Sequence, residues 1–192
     1  LAKEVKTMEA FLRSKKNPFV FLFGGGPKLK DKLSFLLNAV RNQMTEGDVL
    51  AVGSGPAAAL EAGDETAQKF KAIIDEAREK GIKVMLPTDY VQGEIDGNPA
   101  RVDIGPETAQ AYAREIRRAG KVLWNGPMGI YENEAVGKPG AAGTIAVAKA
   151  VHKATRRGAF TFLGGGDTRD AVRALMNLPL FRWLPNLFRW RR

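Results

Sequence analysis

The chain has 192 residues, 44% of them hydrophobic, and no cysteine, so it can build a sizeable core but offers no disulfides, thiolate chemistry or cysteine zinc sites. Thirty Lys and Arg against twenty-one Asp and Glu give a formal charge of +9, which favours phosphorylated metabolites or polyanions as ligands. No stretch approaches the roughly eighteen consecutive apolar residues of a membrane span, and the first residues mix charges of both signs where a signal peptide would be apolar; a soluble, cytoplasmic protein is expected.

The first predicted element is a helix from Leu1 to about Ser14, separated by "KKNP" from the first strand. That strand is the apolar run "FVFLF" (Phe19 to Phe23), and a helix from about Lys30 to Met44 comes after it. A second strand, "DVLAV" (Asp48 to Val52), runs into a Gly/Ala turn, and the helix "DETAQKFKAIIDEAREKG" leads to "IKVMLP" (Ile82 to Pro87). The helix "ETAQAYAREIRRAG" precedes the strand "KVLWNGP", and "GTIAVAKAVHKATRRG" precedes "AFTFLGGG". Short continuous apolar runs are what strands buried on both faces look like, and the intervening helices supply crossovers between parallel neighbours. Gly81, Gly120 and Gly158 each follow a helix and are expected to stop it in a left-handed conformation. No repeat or low-complexity linker divides the chain. The expected plan is a helix at 1–15, one α/β domain at 16–178, and an atypical basic and aromatic tail at 179–192.

In open α/β sheets ligands collect beyond the carboxyl ends of the strands. Here those ends are rich in glycine: "FLFGGGPKLKDK", "AVGSGPAAAL", "LWNGPMGIYE" and "FLGGGDT". Four such clusters on one sheet edge describe a surface where backbone closely approaches a ligand. Gly164 to Gly166 can turn main-chain N–H groups outward at the mouth of a helix, an arrangement that favours phosphate. Asp167 beside a phosphate needs a cation between them, so it is assigned to magnesium. The alternative makes Asp167 or Thr168 a simple helix N-cap. Lys28 and Lys32, four residues apart, can hold a transferring phosphoryl group from one side, with Lys30 pointing elsewhere. The Walker pattern G-x-x-x-x-G-K-[ST] is absent. Asn125 offers an amide and Glu132 an acceptor suited to ribose hydroxyls, beside a flat wall of Gly126, Pro127 and Gly129; the competing reading is an ordinary loop with a solvated Glu132. Trp124 reads as core. His152 is expected on an exposed helix face, with no catalytic partner.

These residues together resemble the C-terminal, nucleotide-binding half of phosphoglycerate kinases. "NPFVFLFGGGPKLKDKL", "DIGPET", "WNGPMGIYE" and "GGGDT" occur in the family's order, and "AAGT" before the helix at Ile145 also fits. The resemblance runs from Leu1 to about Leu175. It implies a Rossmann-like three-layer sandwich, ATP or ADP with magnesium at the strand ends, and phosphoryl transfer to or from 3-phosphoglycerate. It also implies phosphate contacts from Lys28, Lys32 and Asn125, a ribose contact from Glu132, and a phosphate and magnesium loop of Gly165, Gly166, Asp167 and Thr168. Gly53, Gly55 and Pro127 fall at the family's nucleotide-binding positions, and Lys28, Lys32 and Gly166 at its catalytic ones. The first helix resembles the family's interdomain helix.

The chain departs from the family in three places near the nucleotide: one added residue in "GGGPK", Ser54 at the middle of a usual glycine triplet, and Arg101 where a small residue is usual. Each bears on how tightly adenine is held. Because the chain starts at Leu1, a fragment or processed piece is expected; without the family's 3-phosphoglycerate-binding domain it should bind nucleotide but not turn over. A monomer is expected, with no membrane partner and no nucleic acid. The tail "FRWRR" can be encoded so that a one-base shift reads Ser-Gly-Gly-Gly-Ala, a glycine motif into which the family continues; a frameshifted end is therefore expected. The alternative is a non-catalytic nucleotide-binding or RNA-associated module with a basic tail.

Overall fold

The computed structural model describes residues 2–130 and 141–166 together with Thr168 and Val172. Glu132, Asp167 and the tail 179–192 lie outside the described residues. The elements in chain order are α1 (Ala2–Arg13), β1 (Phe19–Phe23), α2 (Leu29–Asn42), β2 (Val49–Val52), α3 (Ser54–Ala59), α4 (Glu65–Glu79), β3 (Lys83–Met85), β4 (Tyr90–Ile95), β5 (Asn98–Ile104), α5 (Pro106–Arg118), β6 (Lys121–Asn125), α6 (Ala142–Arg156) and β7 (Phe160–Gly164).

Five strands form a parallel sheet in the order β3-β2-β1-β6-β7. β1 lies at its centre and all five of its residues are buried. Strand side chains alternate between faces, so Phe19, Phe21 and Phe23 join α2 and α4 in one core, whereas Val20 and Leu22 join α5 and α6 in the other. The result is a helix–sheet–helix sandwich, the α/β architecture that the apolar runs imply.

The helices follow from amphipathic spacing and local caps. In α2 the buried residues are Leu29, Leu33, Leu36, Ala39 and Val40, one stripe of a 3.6-residue period. The Asp64 carboxylate accepts the Ala67 N–H at 2.7 Å and starts α4. Asp89 caps α5 from outside the helix, accepting from the N–H groups of Glu107 (2.9 Å) and Thr108 (2.7 Å). Burial works against the Asp89 carboxylate, yet the Thr108 hydroxyl, which also donates to it, and these backbone hydrogen bonds hold its pKa below the ordinary value.

The first helix is anchored to the sheet. Phe11 is buried, and its ring meets those of Phe19 (5.7 Å between centroids) and Phe160 (5.5 Å) edge-on. Lys121 lies beneath it, with Nζ 4.7 Å from the Phe19 ring and donating to the Ser14 carbonyl at 3.2 Å.

Four local expectations are corrected. The Gly/Ala segment after β2 is the short helix α3, in which Ser54, Pro56 and Ala57 are buried. Gly81 and Gly158 have the expected positive φ, at 75° and 97°, but Gly120 does not. Its glycine is needed for space, since a Cβ there would lie 2.6 Å from the Asn17 carbonyl oxygen. His152 is half-buried and its Nδ1 is enclosed without a partner; burial first, then Arg156 and Lys153, push its pKa down. Finally, the span between β3 and α5 contains an antiparallel hairpin, β4–β5, that the apolar runs did not mark. Its turn has Asp96 at φ 51° and Gly97 at φ 77°, the paired left-handed conformations of a type I′ turn, for which Asp-Gly is a preferred sequence.

Candidate functional site

The sheet order reverses between β1 and β6: the chain moves outward through β2 and β3, then returns to the other side of β1. Loops leaving neighbouring strands diverge at such a point and open a crevice. Here the loops following β1, β2 and β6 are bonded to one another. Gly24 N–H donates to the Asn125 carbonyl at 2.8 Å and Gly25 N–H to that of Pro127 at 3.1 Å. Gly53 N–H donates to the Phe23 carbonyl at 2.8 Å and Ser54 N–H to that of Met128 at 2.7 Å.

This contact is between backbones, which explains the glycines. A Cβ on Gly126, whose φ is 89°, would lie 2.2 Å from the Gly24 carbonyl oxygen. A Cβ on Gly26 would lie 2.8 Å from the Gly55 Cα, and one on Gly55 2.7 Å from the Gly26 Cα. Real side chains do not fit at such distances, so the sequence surrenders side chains here to bring three loops together.

Between these loops and the hairpin lies a cavity of about 600 Å³, the size of a small-molecule site. Of the predicted residues, Lys28, Gly55, Pro127 and the wall residue Gly129 line it, as do Ser54 and Arg101, the two substitutions singled out near the nucleotide. Gly53 sits behind the wall, where a Cβ would meet the Met128 carbonyl oxygen at 2.9 Å. Lys32 occupies the first turn of α2 and donates from Nζ to the Gly24 carbonyl at 3.1 Å, setting its ammonium over the glycine loop. Lys30 is exposed and does not line the cavity.

A second group gathers where β6 and β7 end side by side. Asn125 pairs with Gly164 in the register, and its Oδ1 is buried with no hydrogen-bond partner among the described residues. Gly165 is left-handed at φ 87°, and Gly166 has open space around its α-carbon. The Thr168 hydroxyl is fully buried: it accepts from Gly126 N–H at 2.6 Å and donates to the Gly164 carbonyl at 2.7 Å. That side chain therefore clasps two loops and shapes the site through them. Trp124 is core, as expected, with Nε1 donating to the Gly126 carbonyl at 2.8 Å.

Several lining residues were not legible from glycine clusters. Ile95 and Ala100 come from the hairpin and Ala58 and Glu61 from α3 and the turn after it. The Asp-Gly turn could have revealed the hairpin, but not that it folds over α3. Asp103, at the end of β5, was also missed. Its buried carboxylate accepts from Ile104 N–H at 2.8 Å, Thr144 N–H at 2.9 Å and the Thr144 hydroxyl at 3.1 Å, joining the hairpin to the start of α6. Burial pushes its pKa up to about 6 against the pull of those hydrogen bonds. Gly129 packs against the same carboxylate and lines the cavity.

Comparison with known proteins fits this geometry. A sequence model of phosphoglycerate kinase matches residues 1–181. Phosphoglycerate kinase of Chlorobium chlorochromatii is 34% identical over 90% of this chain and 48% of its own length. That of Clavibacter michiganensis is 36% identical over 91% of this chain and 48% of its own. The structure of phosphoglycerate kinase from Coxiella burnetii superposes with a TM-score of 0.77 at 28% identity, covering 91% of this chain and 48% of that one. The chain thus spans about half the length of the relatives it matches. A match over nearly its whole length, on a fold whose glycine loops meet at the switch point of the sheet, means that the chain belongs to the phosphoglycerate kinase family.

Proposed function

We propose that this chain is the nucleotide-binding half of a phosphoglycerate kinase, holding ATP or ADP with magnesium for phosphoryl transfer to or from 3-phosphoglycerate. The observation that carries this reading is the convergence of the loops after β1, β2 and β6 around one cavity in a chain of this family. The base would enter beside the hairpin, with Gly55 and Pro127 as walls. The phosphates would extend along the sheet edge toward Asn125, Gly165 and Gly166.

Phosphoryl transfer asks little covalent chemistry of a protein; in-line positioning and charge neutralisation carry it. Lys28 and Lys32 supply two positive charges on the β1 side, and main-chain N–H groups at Gly165 and Gly166 are suited to phosphate oxygens on the β7 side. Asn125, at the end of β6 beside Gly164, could donate from its side-chain amide NH2 to a phosphate oxygen placed between them. Among the described residues no group of three or more His, Asp or Glu could hold a metal by itself. A site completed by the nucleotide's own phosphates fits that donor set, with Asp167 as the protein ligand. Bound there, magnesium would neutralise phosphate charge. Glu132 is assigned to the ribose hydroxyls. The 3-phosphoglycerate side of the reaction is assigned to the other half of the relatives' length, so turnover is expected only when that half is supplied.

Isothermal titration with magnesium-ADP tests the reading. Saturable binding is expected, weakened by about tenfold or more in Lys32→Ala and Asp167→Ala variants, with thermal melts showing that both are folded. No binding at millimolar nucleotide would reject it.

A further inference from the structure

The cavity carries charge that its glycine loops do not explain. Four polar side chains line it: Lys28, Ser54, Glu61 and Arg101. Lys28 stands at the start of α2, on the side assigned to phosphate. The Ser54 hydroxyl is committed to the Met128 carbonyl at 3.0 Å. That leaves Glu61 and Arg101, through the atoms outside their own Nη1–Oε1 contact, to meet the polar edge of a ligand.

Their position supports this. Gly55 packs on the Gly26 loop, and Glu61 follows in the turn after α3. Arg101, on β5, donates from Nη1 to Glu61 Oε1, so the pair bridges the hairpin and the end of α3. Its guanidinium is braced by the Tyr90 ring, 4.6 Å from the centroid. Ile95, an exposed large apolar residue in the same lining, offers a surface for a flat ring. An acceptor group and a donor group therefore stand side by side in the wall of the cavity.

The two purines differ in how their edges would meet such a pair. Guanine presents two adjacent acceptors, N7 and O6, followed by two adjacent donors, N1–H and the N2 amine. Adenine alternates acceptor, donor, acceptor along N7, N6 and N1. A guanidinium and a carboxylate can each use two neighbouring atoms on guanine, whereas on adenine each matches one and faces a like group with the next. We propose that Glu61 and Arg101 read the base edge and give this site a preference for 6-oxopurine nucleotides over adenine nucleotides. The proposal rests on the nucleotide-binding reading of the same cavity. Both side chains stay partly open to water, 40% exposed for Arg101 and 64% for Glu61, so the preference is modest.

Titration of the full chain with the magnesium complexes of ADP, GDP and IDP separates the two readings. GDP is expected to bind about five- to tenfold more tightly than ADP, with IDP, which lacks the N2 amine, between them. Arg101→Ala and Glu61→Gln should each bring the GDP-to-ADP ratio close to one, and Arg101→Lys, which keeps the charge but loses the fork, should restore little of it. ADP binding as tightly as GDP, or a preference that survives both substitutions, would overturn the base-edge proposal and leave nucleotide binding intact. If none of the three binds, both readings fall.

Discussion

The parallel sheet and the β4–β5 hairpin divide the work of this molecule unequally. The sheet is buried on both faces and owes its order to packing: β1 alone contributes three phenylalanines to one core and Val20 and Leu22 to the other. The hairpin is largely exposed up to its last residues, Val102 to Ile104. It nevertheless lines the cavity with Ile95, Ala100 and Arg101 and anchors α6 through Asp103. The sheet decides where the cavity lies, and the hairpin supplies part of its wall. Changes in the sheet should register as stability and changes in the hairpin as binding.

The largest expected effect is in the sheet. Phe21→Ala removes a fully buried ring that touches Phe19, Phe23 and Phe35 and should cost about 3–5 kcal/mol in a denaturant titration. A loss under about 1 kcal/mol would mean the core is not organised around β1.

Asp103 lies where the two regions join, and its effect is next. The folded-state pKa of about 6 exceeds the ordinary aspartate value, so the folded protein binds the proton more tightly than the unfolded chain does. Its contribution is therefore most favourable below about pH 4 and declines as pH rises through 6, by about 3 kcal/mol in all. Stability measured across that window should carry this component in the native protein and lack it in Asp103→Asn. Parallel pH curves for the two would refute it.

Smaller effects belong to the hairpin alone. Gly97→Val places a branched side chain at φ 77° and should cost about 1–2 kcal/mol, while weakening ligand binding through the displaced strands. Arg101→Ala, at an exposed ion pair, should leave the midpoint of thermal unfolding essentially unchanged. A clear drop in that midpoint would make Arg101 a structural residue of the hairpin.

Legibility in the sequence divides along the same line. The strands of the sheet could be read because burial on both faces leaves continuous apolar runs, and α2, α4 and α5 because their buried stripes repeat with helical spacing. The glycine loops could be read because backbone-to-backbone contact excludes every other residue. The hairpin left no apolar run: "YVQGEI" and "NPARV" are short, mixed and mostly exposed. Glu61 meets Arg101 across forty positions, a contact that no local pattern encodes. Asp103 resembled any solvated aspartate until the chain folded around it, since its burial is supplied by Thr144 and Gly129. Gly120 shows the reverse error, in which a familiar helix-stop position serves to clear room for a neighbouring chain segment.

The ring of Phe11 touches both the central strand and β7, an edge strand of the sheet among the described residues. Close-packed rings move as a set or not at all. Whatever pulls on the amino end of α1 is therefore felt by β1 and, five residues later, by the glycine loop that β1 carries. The first helix would act as a stiff handle on the proposed site, and bending between it and the sheet would have to begin by prising those aromatic groups apart.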